Sequence, residues 1–320
     1  MQKDLSYLHG LVKYISCNFI DARSTTKDYL GQIVQDNNLD DSTNDSTNPQ
    51  GGFVISTCLR YEKYSLRNKQ DYQSPFLYTH GVTCLRRLLS ILVGLHSEII
   101  GEREIMMQIT KSVNTAHDAG CLDEREFQSM QKLFAISKHI RQKCGLSTSE
   151  NYSTIAADIF VEYLSKCNSP TITIVGGGYM AEKFFGSLLR AGSFSKIERI
   201  YWINRSTLRL KEYVAEINNL IDVDIDVLDL EHGSDVLKDS DAIFCALSKS
   251  PYLYRNEEYR ENSFIVDVSY PQVFANKQKV NLITITNTDF NSLSKNTVPK
   301  ENIVMANKEI DKVVYSLRTK

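Results

Sequence analysis

Apolar positions along this chain follow two rhythms, and the change falls near residue 170. Before it the spacing is mostly helical. Leu5, Leu8, Leu11 and Val12 form an amphipathic beginning, Tyr14 to Ile20 reads as extended, and a helical turn is expected around Lys27 to Val34. Phe53-Val54-Ile55 has the β-branched and aromatic make-up of a short buried strand, introduced by Gly51-Gly52. Pro75 marks a turn. Thr83 opens a helix with apolar residues at 85, 88, 89, 92 and 95, which Gly94 and Gly101 interrupt. Ile105 to Ala119 resumes the helical period and closes at Gly120. Glu124 to Cys144 is a further amphipathic helix, with Phe127, Met130, Leu133, Phe134 and Ile140 on its stripe and Gly145 as its stop. Ser153 to Leu164 is another.

From Thr171 strands and helices alternate. Strands are expected at Thr171–Val175, Ile200–Ile203, Val223–Leu228, Ala242–Leu247, Phe264–Val268 and Leu282–Ile285. Strands separated by helices describe an α/β fold with a doubly wound parallel sheet. A last helix, Glu301 to Leu317, follows Pro299. The expected organisation is an N-terminal α+β domain over 1–165, a doubly wound domain of the Rossmann type over 166–290 and a short C-terminal helical segment over 291–320. Asp36 to Gln50 is almost free of apolar residues and is expected to be a mobile loop.

Composition narrows this picture. At 320 residues there is room for two domains and a sizeable core. The formal net charge of −2 argues against non-specific nucleic-acid affinity and leaves room for a local basic patch. The apolar run Leu88–Leu95 is far too short to cross a bilayer, so no membrane partner is expected. Lys3, Asp4, His9 and Lys13 break any signal-peptide core, and cytoplasm is the simplest location. The 7 cysteines are dispersed without C-x-x-C spacing, which suggests free thiols and no metal site.

Two stretches carry chemistry. In the first, Cys58 stands at the expected end of the Phe53 strand, followed by Arg60 and Glu62. A neighbouring guanidinium favours the thiolate, which makes Cys58 a candidate nucleophile. A buried structural cysteine fits the local pattern as well. If the chain stays extended, alternation places Cys58, Arg60 and Glu62 on one face and Leu59 and Tyr61 on the other. Lys132, Lys138, His139, Arg141 and Lys143 line the opposite side of the Glu124 helix, either as a solvated face or as a groove for an RNA backbone. The second stretch is Gly176-Gly177-Gly178-Tyr179-Met180-Ala181, a G-x-G-x-x-A turn between a strand and a helix. Its bare backbone lets a pyrophosphate approach the helix N-terminus, and Ala181 permits close packing. Asn204-Arg205-Ser206-Thr207 ends the next strand where an acidic residue would select NAD. A guanidinium and hydroxyls suit a 2′-phosphate, so NADPH is the expected cofactor.

With both stretches in place, the chain resembles glutamyl-tRNA reductase, the enzyme that commits glutamyl-tRNA to tetrapyrrole synthesis. STCLRYEKY is similar to that family's S-T-C-N-R-x-E-x-Y, and GLHSEIIGEREIMMQ to G-L-D-S-x-x-x-G-E-x-Q-I-x-x-Q. GGGYMA, followed by Asn204-Arg205-Ser206, resembles G-A-G-E-M-A/G followed by N-R-T, and IVDVSYP resembles I-D-I-A-V-P. The resemblance implies that Cys58 forms a thioester with the glutamyl group, which NADPH reduces to glutamate-1-semialdehyde. It places Arg60 as a clamp for the glutamyl carboxylate, with Thr57, Leu59, Ser97, Glu102, Arg103, Glu104 and Gln108 around the substrate. Arg87 occupies the catalytic position at which the family has a proton-handling histidine, and nearby His80 is a candidate substitute. Leu59 replaces the family's asparagine, His96 an aspartate, and Glu102-Arg103-Glu104 stands for E-P-Q. Implied partners are glutamyl-tRNA, or another acyl donor, and a downstream aminotransferase. The last helix resembles the start of the family's spine without the dimerisation domain, which leaves the oligomeric state open. A reductase of another aminoacyl-tRNA and a non-catalytic NADP-binding regulator are the alternative readings.

Overall fold

The computed structural model describes residues 6–21, 50–57, 59–67, 71, 73, 76–146, 148–247, 254, 259–270, 272–275, 280–285, 287–288, 290–295 and 297–318. The helical turn expected at 27–34, Pro75, and all of the polar stretch 36–50 but Gln50 lie outside them. So does Cys58.

The chain divides into two compact units, Met1–Ser149 with Lys295–Lys320, and Glu150–Ser294. The first contains helices α1 (Ser6–Tyr14), α2 (Gly81–Val93), α3 (Glu104–Asp118) and α4 (Glu124–Lys143), and strands β1 (Ser16–Asp21), β2 (Gly52–Thr57), β3 (Arg60–Ser65) and β4 (Leu77–His80). The strands form an antiparallel sheet in the order β2-β3-β1-β4. Strand alternation divides its side chains between two faces. Cys17, Phe53, Ile55 and Tyr64 join the large core built with the helices, whereas Ile20, Val54, Tyr61 and Phe76 form a small cluster of their own. Phe53 and Tyr64 are register partners and stack with ring centroids 5.1 Å apart.

Local sequence accounts for the helix ends. Asp123 and Glu126 form a reciprocal capping box at the start of α4. Gly94 (φ 86°) and Gly145 (φ 61°) end α2 and α4 in the left-handed region that glycine adopts without steric cost.

The last helix, α9 (Lys300–Arg318), belongs to the first unit and is not a segment apart. Ala306, Ile310, Val313, Val314 and Leu317 enter the first unit's core. Arg86 and Asp311 pair at 2.7 Å, and Lys143 and Glu309 at 2.8 Å. Those apolar residues at helical spacing would otherwise face water.

The second unit contains α5 (Tyr152–Leu164), β5 (Thr171–Val175), α6 (Tyr179–Arg190), β6 (Arg199–Ile203), α7 (Thr207–Ile217), β7 (Asp224–Leu228), β8 (Ala242–Cys245), β9 (Phe264–Asp267), β10 (Asn281–Thr284) and the short α8 (Phe290–Leu293). Its six strands are parallel in the order β10-β9-β8-β5-β6-β7, the doubly wound arrangement expected. The boundary expected at 165 falls at 149/150, because α5 packs with the parallel sheet. Phe160 meets Phe184 at 4.9 Å, Phe264 at 5.4 Å and Phe244 at 6.4 Å. Phe184 and Phe244 themselves stack at 3.8 Å.

Phe160 therefore ties α5 to the second unit. Phe160→Ala is expected to destabilise that unit by about 3–5 kcal/mol, the usual cost of truncating a buried phenylalanine. Urea unfolding followed by Trp202 fluorescence checks it, and a loss below about 1 kcal/mol would place α5 outside that core.

Candidate functional site

The first site is built on a hairpin. β2 and β3 pair with Thr57 opposite Arg60, so the chain reverses between them, and the condition of one extended run through Glu62 is not met. The Leu59 amide donates to Thr57 Oγ1 at 3.3 Å across this reversal. Arg60 and Glu62 still share a face, because both lie within β3.

That face carries buried charge. The register sets Cys17 opposite Tyr64, Phe19 opposite Glu62 and Asp21 opposite Arg60. Arg87, two turns into α2, reaches the same face. Its Nη2 donates to Glu62 Oε1 at 2.7 Å and to Asp21 Oδ2 at 2.5 Å, and its Nε to Glu62 Oε2 at 3.4 Å. The Arg87 guanidinium lies over the Phe19 ring at 3.6 Å. Arg60 Nη1 reaches Glu62 Oε1 at 3.4 Å, while its Nη2 donates to the His96 carbonyl at 2.5 Å. Tyr64 donates to Glu62 Oε2 at 2.7 Å. Burial, the largest influence on Arg87, weakens its hold on the proton, but Glu62, Tyr64 and Asp21 outweigh it and raise its pKa. Burial, then Glu62, also pushes the Cys17 and Cys84 thiols up.

The loop between α2 and α3 supplies the next residues. The Gly101 amide donates to the Gly94 carbonyl at 3.1 Å, which pinches the loop shut. A Cβ on Gly94 would lie 2.8 Å from Arg141 Nη1 and 3.1 Å from Gly101 Cα. Arg141 points inward from α4, donating to the Val93 carbonyl at 3.1 Å and the Gly101 carbonyl at 2.5 Å. It is buried, which corrects its placement on the solvated face of that helix. Burial pushes its pKa down.

Within the loop Ser97 is buried and hydrogen-bonds the Glu102 carboxylate. Burial first, and then Glu104, push Glu102 up to about 7, against the pull of Ser97, Arg60 and Arg141. Among the residues expected at the substrate, Arg60, Ser97, Glu102 and Glu104 thus share one electrostatic environment. Arg103 and Gln108 are exposed, and the Arg103 amide donates to Glu104 Oε2 at 3.1 Å. His80 is exposed at the N-cap of α2, opposite Ser16.

The second site lies at the carboxyl end of β5. Gly176 has φ 114° and receives Trp202 Nε1 on its carbonyl at 2.7 Å. A Cβ there would lie 2.5 Å from the Ala246 carbonyl oxygen. At Gly177 a Cβ would lie 2.5 Å from Asn204 Nδ2, and at Gly178 it would meet nothing within 4 Å. Gly178 caps α6 with an open side on which a phosphate can approach. Ala181 is fully buried, Met180 Sδ accepts from Ser153 Oγ at 3.4 Å, and Tyr179 is exposed beside Lys183. Asn204 donates from its side chain to the Ser206 carbonyl at 2.8 Å, while Arg205 and Ser206 are exposed at the start of α7. These residues form a cradle that fits a dinucleotide at the point where β5 separates the two halves of the sheet.

Sequence reasoning missed Asp21, Tyr64 and Arg141. Arg141 had a signal: it stands seven residues after Phe134, on the buried stripe with Met130 and Ser137. It missed Asp267 as well, whose buried carboxylate accepts the amides of Ser269, Val273 and Phe274 at 2.9, 2.7 and 3.0 Å and holds the turn after β9.

Comparison with known proteins matches a stretch of each unit to a described family. Residues 20–144 match the family "Glutamyl-tRNAGlu reductase, N-terminal domain", and residues 156–290 match "Shikimate / quinate 5-dehydrogenase". Glutamyl-tRNA reductase of Nitratidesulfovibrio vulgaris is 24% identical over 70% of this chain and 51% of its own length. That of Thermus thermophilus is 22% identical over 69% of this chain and 58% of its own. The chain thus spans about half the length of the curated relatives it matches. The solved glutamyl-tRNA reductase from Methanopyrus kandleri aligns with 95% of this chain and 79% of its own at a TM-score of 0.47 and 19% identity.

Glu102 generates a pH signature. Its folded-state pKa of about 7 lies above the ordinary glutamate value of 4.5, so the folded protein holds this proton more tightly than the unfolded chain. The stability from this group is complete below about 4.5 and falls as pH rises towards about 7. In Glu102→Gln that part of the pH slope is expected to vanish, as read by urea unfolding at a series of pH values. An unchanged slope would assign the titration to another group.

Proposed function

The chain belongs to the glutamyl-tRNA reductase family, and from that premise we propose that it reduces glutamyl-tRNA to glutamate-1-semialdehyde through a thioester on Cys58. The observation that carries this reading is the contact of Arg60 with the His96 carbonyl, which joins it to the loop of Ser97 and Glu102 beside the β2–β3 hairpin.

Each group has a task set by its chemistry. The Cys58 thiolate attacks the ester carbonyl, a C–S bond forms, and the C–O bond to the tRNA 3′ end breaks. Arg60, buried and positive, offers its guanidinium to the glutamyl side-chain carboxylate, where a neutral side chain would leave the charge unanswered. Glu102, with a pKa of about 7, can accept or return a proton near neutrality, and Ser97 orients its carboxylate. Gly176, Gly177 and Gly178 would seat the pyrophosphate of NADPH, with Arg205 and Ser206 beside its 2′-phosphate. NADPH supplies the hydride that converts the acyl group to an aldehyde and frees the thiolate. An aminotransferase is a suitable consumer of so reactive a product.

Two outcomes are expected. Mixing the protein with labelled glutamyl-tRNA should place one glutamyl group on Cys58, seen by peptide mass spectrometry, and Cys58→Ser should abolish both adduct and aldehyde. A wild type that never carries the adduct would remove the proposal. Arg205→Ala should raise the KM for NADPH by about tenfold or more, the loss of one charge-assisted contact, with little change for NADH. Equal effects on both cofactors would mean that another residue reads the phosphate.

A further inference from the structure

The proposed reaction leaves Arg87 without a task, since a guanidinium does not exchange protons near neutral pH. Building on that reading, we infer that Arg87 is a positioning residue: it takes Glu62 and Asp21 as its own counter-ions and so keeps the charge of Arg60 available to an acidic substrate side chain.

The distances divide the carboxylates unequally. Glu62 Oε1 lies 2.7 Å from Arg87 and 3.4 Å from Arg60. Its other oxygen is taken by the Tyr64 hydroxyl at 2.7 Å. Asp21 stands directly across the ladder from Arg60, yet it accepts from Arg87 at 2.5 Å. Arg60 is held instead by the His96 carbonyl at 2.5 Å, a neutral acceptor that fixes the side chain without cancelling its charge.

The residue type matters. The planar guanidinium presents Nε and Nη2 to Glu62 while Nη2 also serves Asp21, and it lies against the Phe19 ring at 3.6 Å. A lysine ammonium is a point charge that cannot make that fork. Without Arg87 the face would hold, among the described residues, Arg60 as its cation against Glu62 and Asp21. Glu62 would then close on Arg60, and an incoming carboxylate would meet a neutralised clamp.

A crystal structure of Arg87→Met tests this without reference to activity. The Arg60–Glu62 separation is expected to shorten from 3.4 Å to about 2.8 Å, the distance of a charge-assisted pair. In single-turnover acylation of Cys58, the preference for glutamyl-tRNA over glutaminyl-tRNA should fall about tenfold, through KM and not kcat. Adding Glu62→Gln to Arg87→Met should restore that preference, because the competing carboxylate is gone. If Arg87→Met does not fold, Arg87→Lys carries the same readings, with a smaller shortening expected. An Arg60–Glu62 distance that stays at 3.4 Å overturns the inference, whether or not the wild type is acylated. A drop confined to kcat, with selectivity kept, overturns it also. Failure of the underlying reaction shows itself separately, as a wild type with no adduct on Cys58.

Discussion

Two carboxylates buried beneath one sheet face are met there by two guanidiniums. Asp21 and Glu62 are almost without solvent, and so is Arg60. Removing one member of such a group leaves its partner's charge uncompensated, at a cost of about 3–5 kcal/mol. The first unit's architecture serves this meeting. β1 and β3 pair in a register that sets Asp21 beside Arg60 and Phe19 beside Glu62, and α2 delivers Arg87 onto the same surface. A register slip of one residue would turn one strand's side chains to the opposite face and part Asp21 and Phe19 from Arg60 and Glu62. The cluster therefore fixes the pairing as much as the pairing fixes the cluster.

A related constraint shapes both sites: backbone must come closer to its neighbours than any side chain permits. In the first unit Gly94 and Gly101 pinch the loop that carries Ser97 and Glu102, and Arg141 occupies the space where a Cβ on Gly94 would stand. Arg141 also donates to the Val93 and Gly101 carbonyls near the two ends of that loop. In the second unit Gly176 is pressed against the Ala246 carbonyl and Gly177 against Asn204, whereas Gly178 faces open space. Two glycines there are required by packing and the third is not.

The parallel sheet was legible because each buried strand is a short apolar run between turn residues, and its six strands lie within a residue or two of their expected positions. The hairpin at Thr57 was not. Positions 58 and 59 carry none of the Asn-Gly or Asp-Gly chemistry that marks a two-residue reversal, so the residues pointed to a strand end near Cys58 but not to a hairpin. The ownership of α5 and α9 was equally hidden, since an amphipathic face says that a helix is buried and not against which core. Of the candidate sites, the glycine turn was written in consecutive residues. The partners of Arg60 and Arg87 were not, because Asp21 reaches them only through a register set by tertiary pairing across some forty positions.

Arg60 and Glu102 together give the first site a property neither has alone. Arg60 is a fixed charge, held in place by a carbonyl and by a carboxylate that another arginine already claims. Glu102 is a variable one, poised by burial and by Glu104 to be about half ionised near neutral pH. A site that receives an acidic acyl group must absorb one negative charge without reorganising, or the gain at the clamp is lost in moving neighbours. In the proposed reaction, proton uptake on Glu102 would supply that adjustment. Under the proposed reaction, Arg87 does not titrate near neutrality, and the titrating role would fall to Glu102.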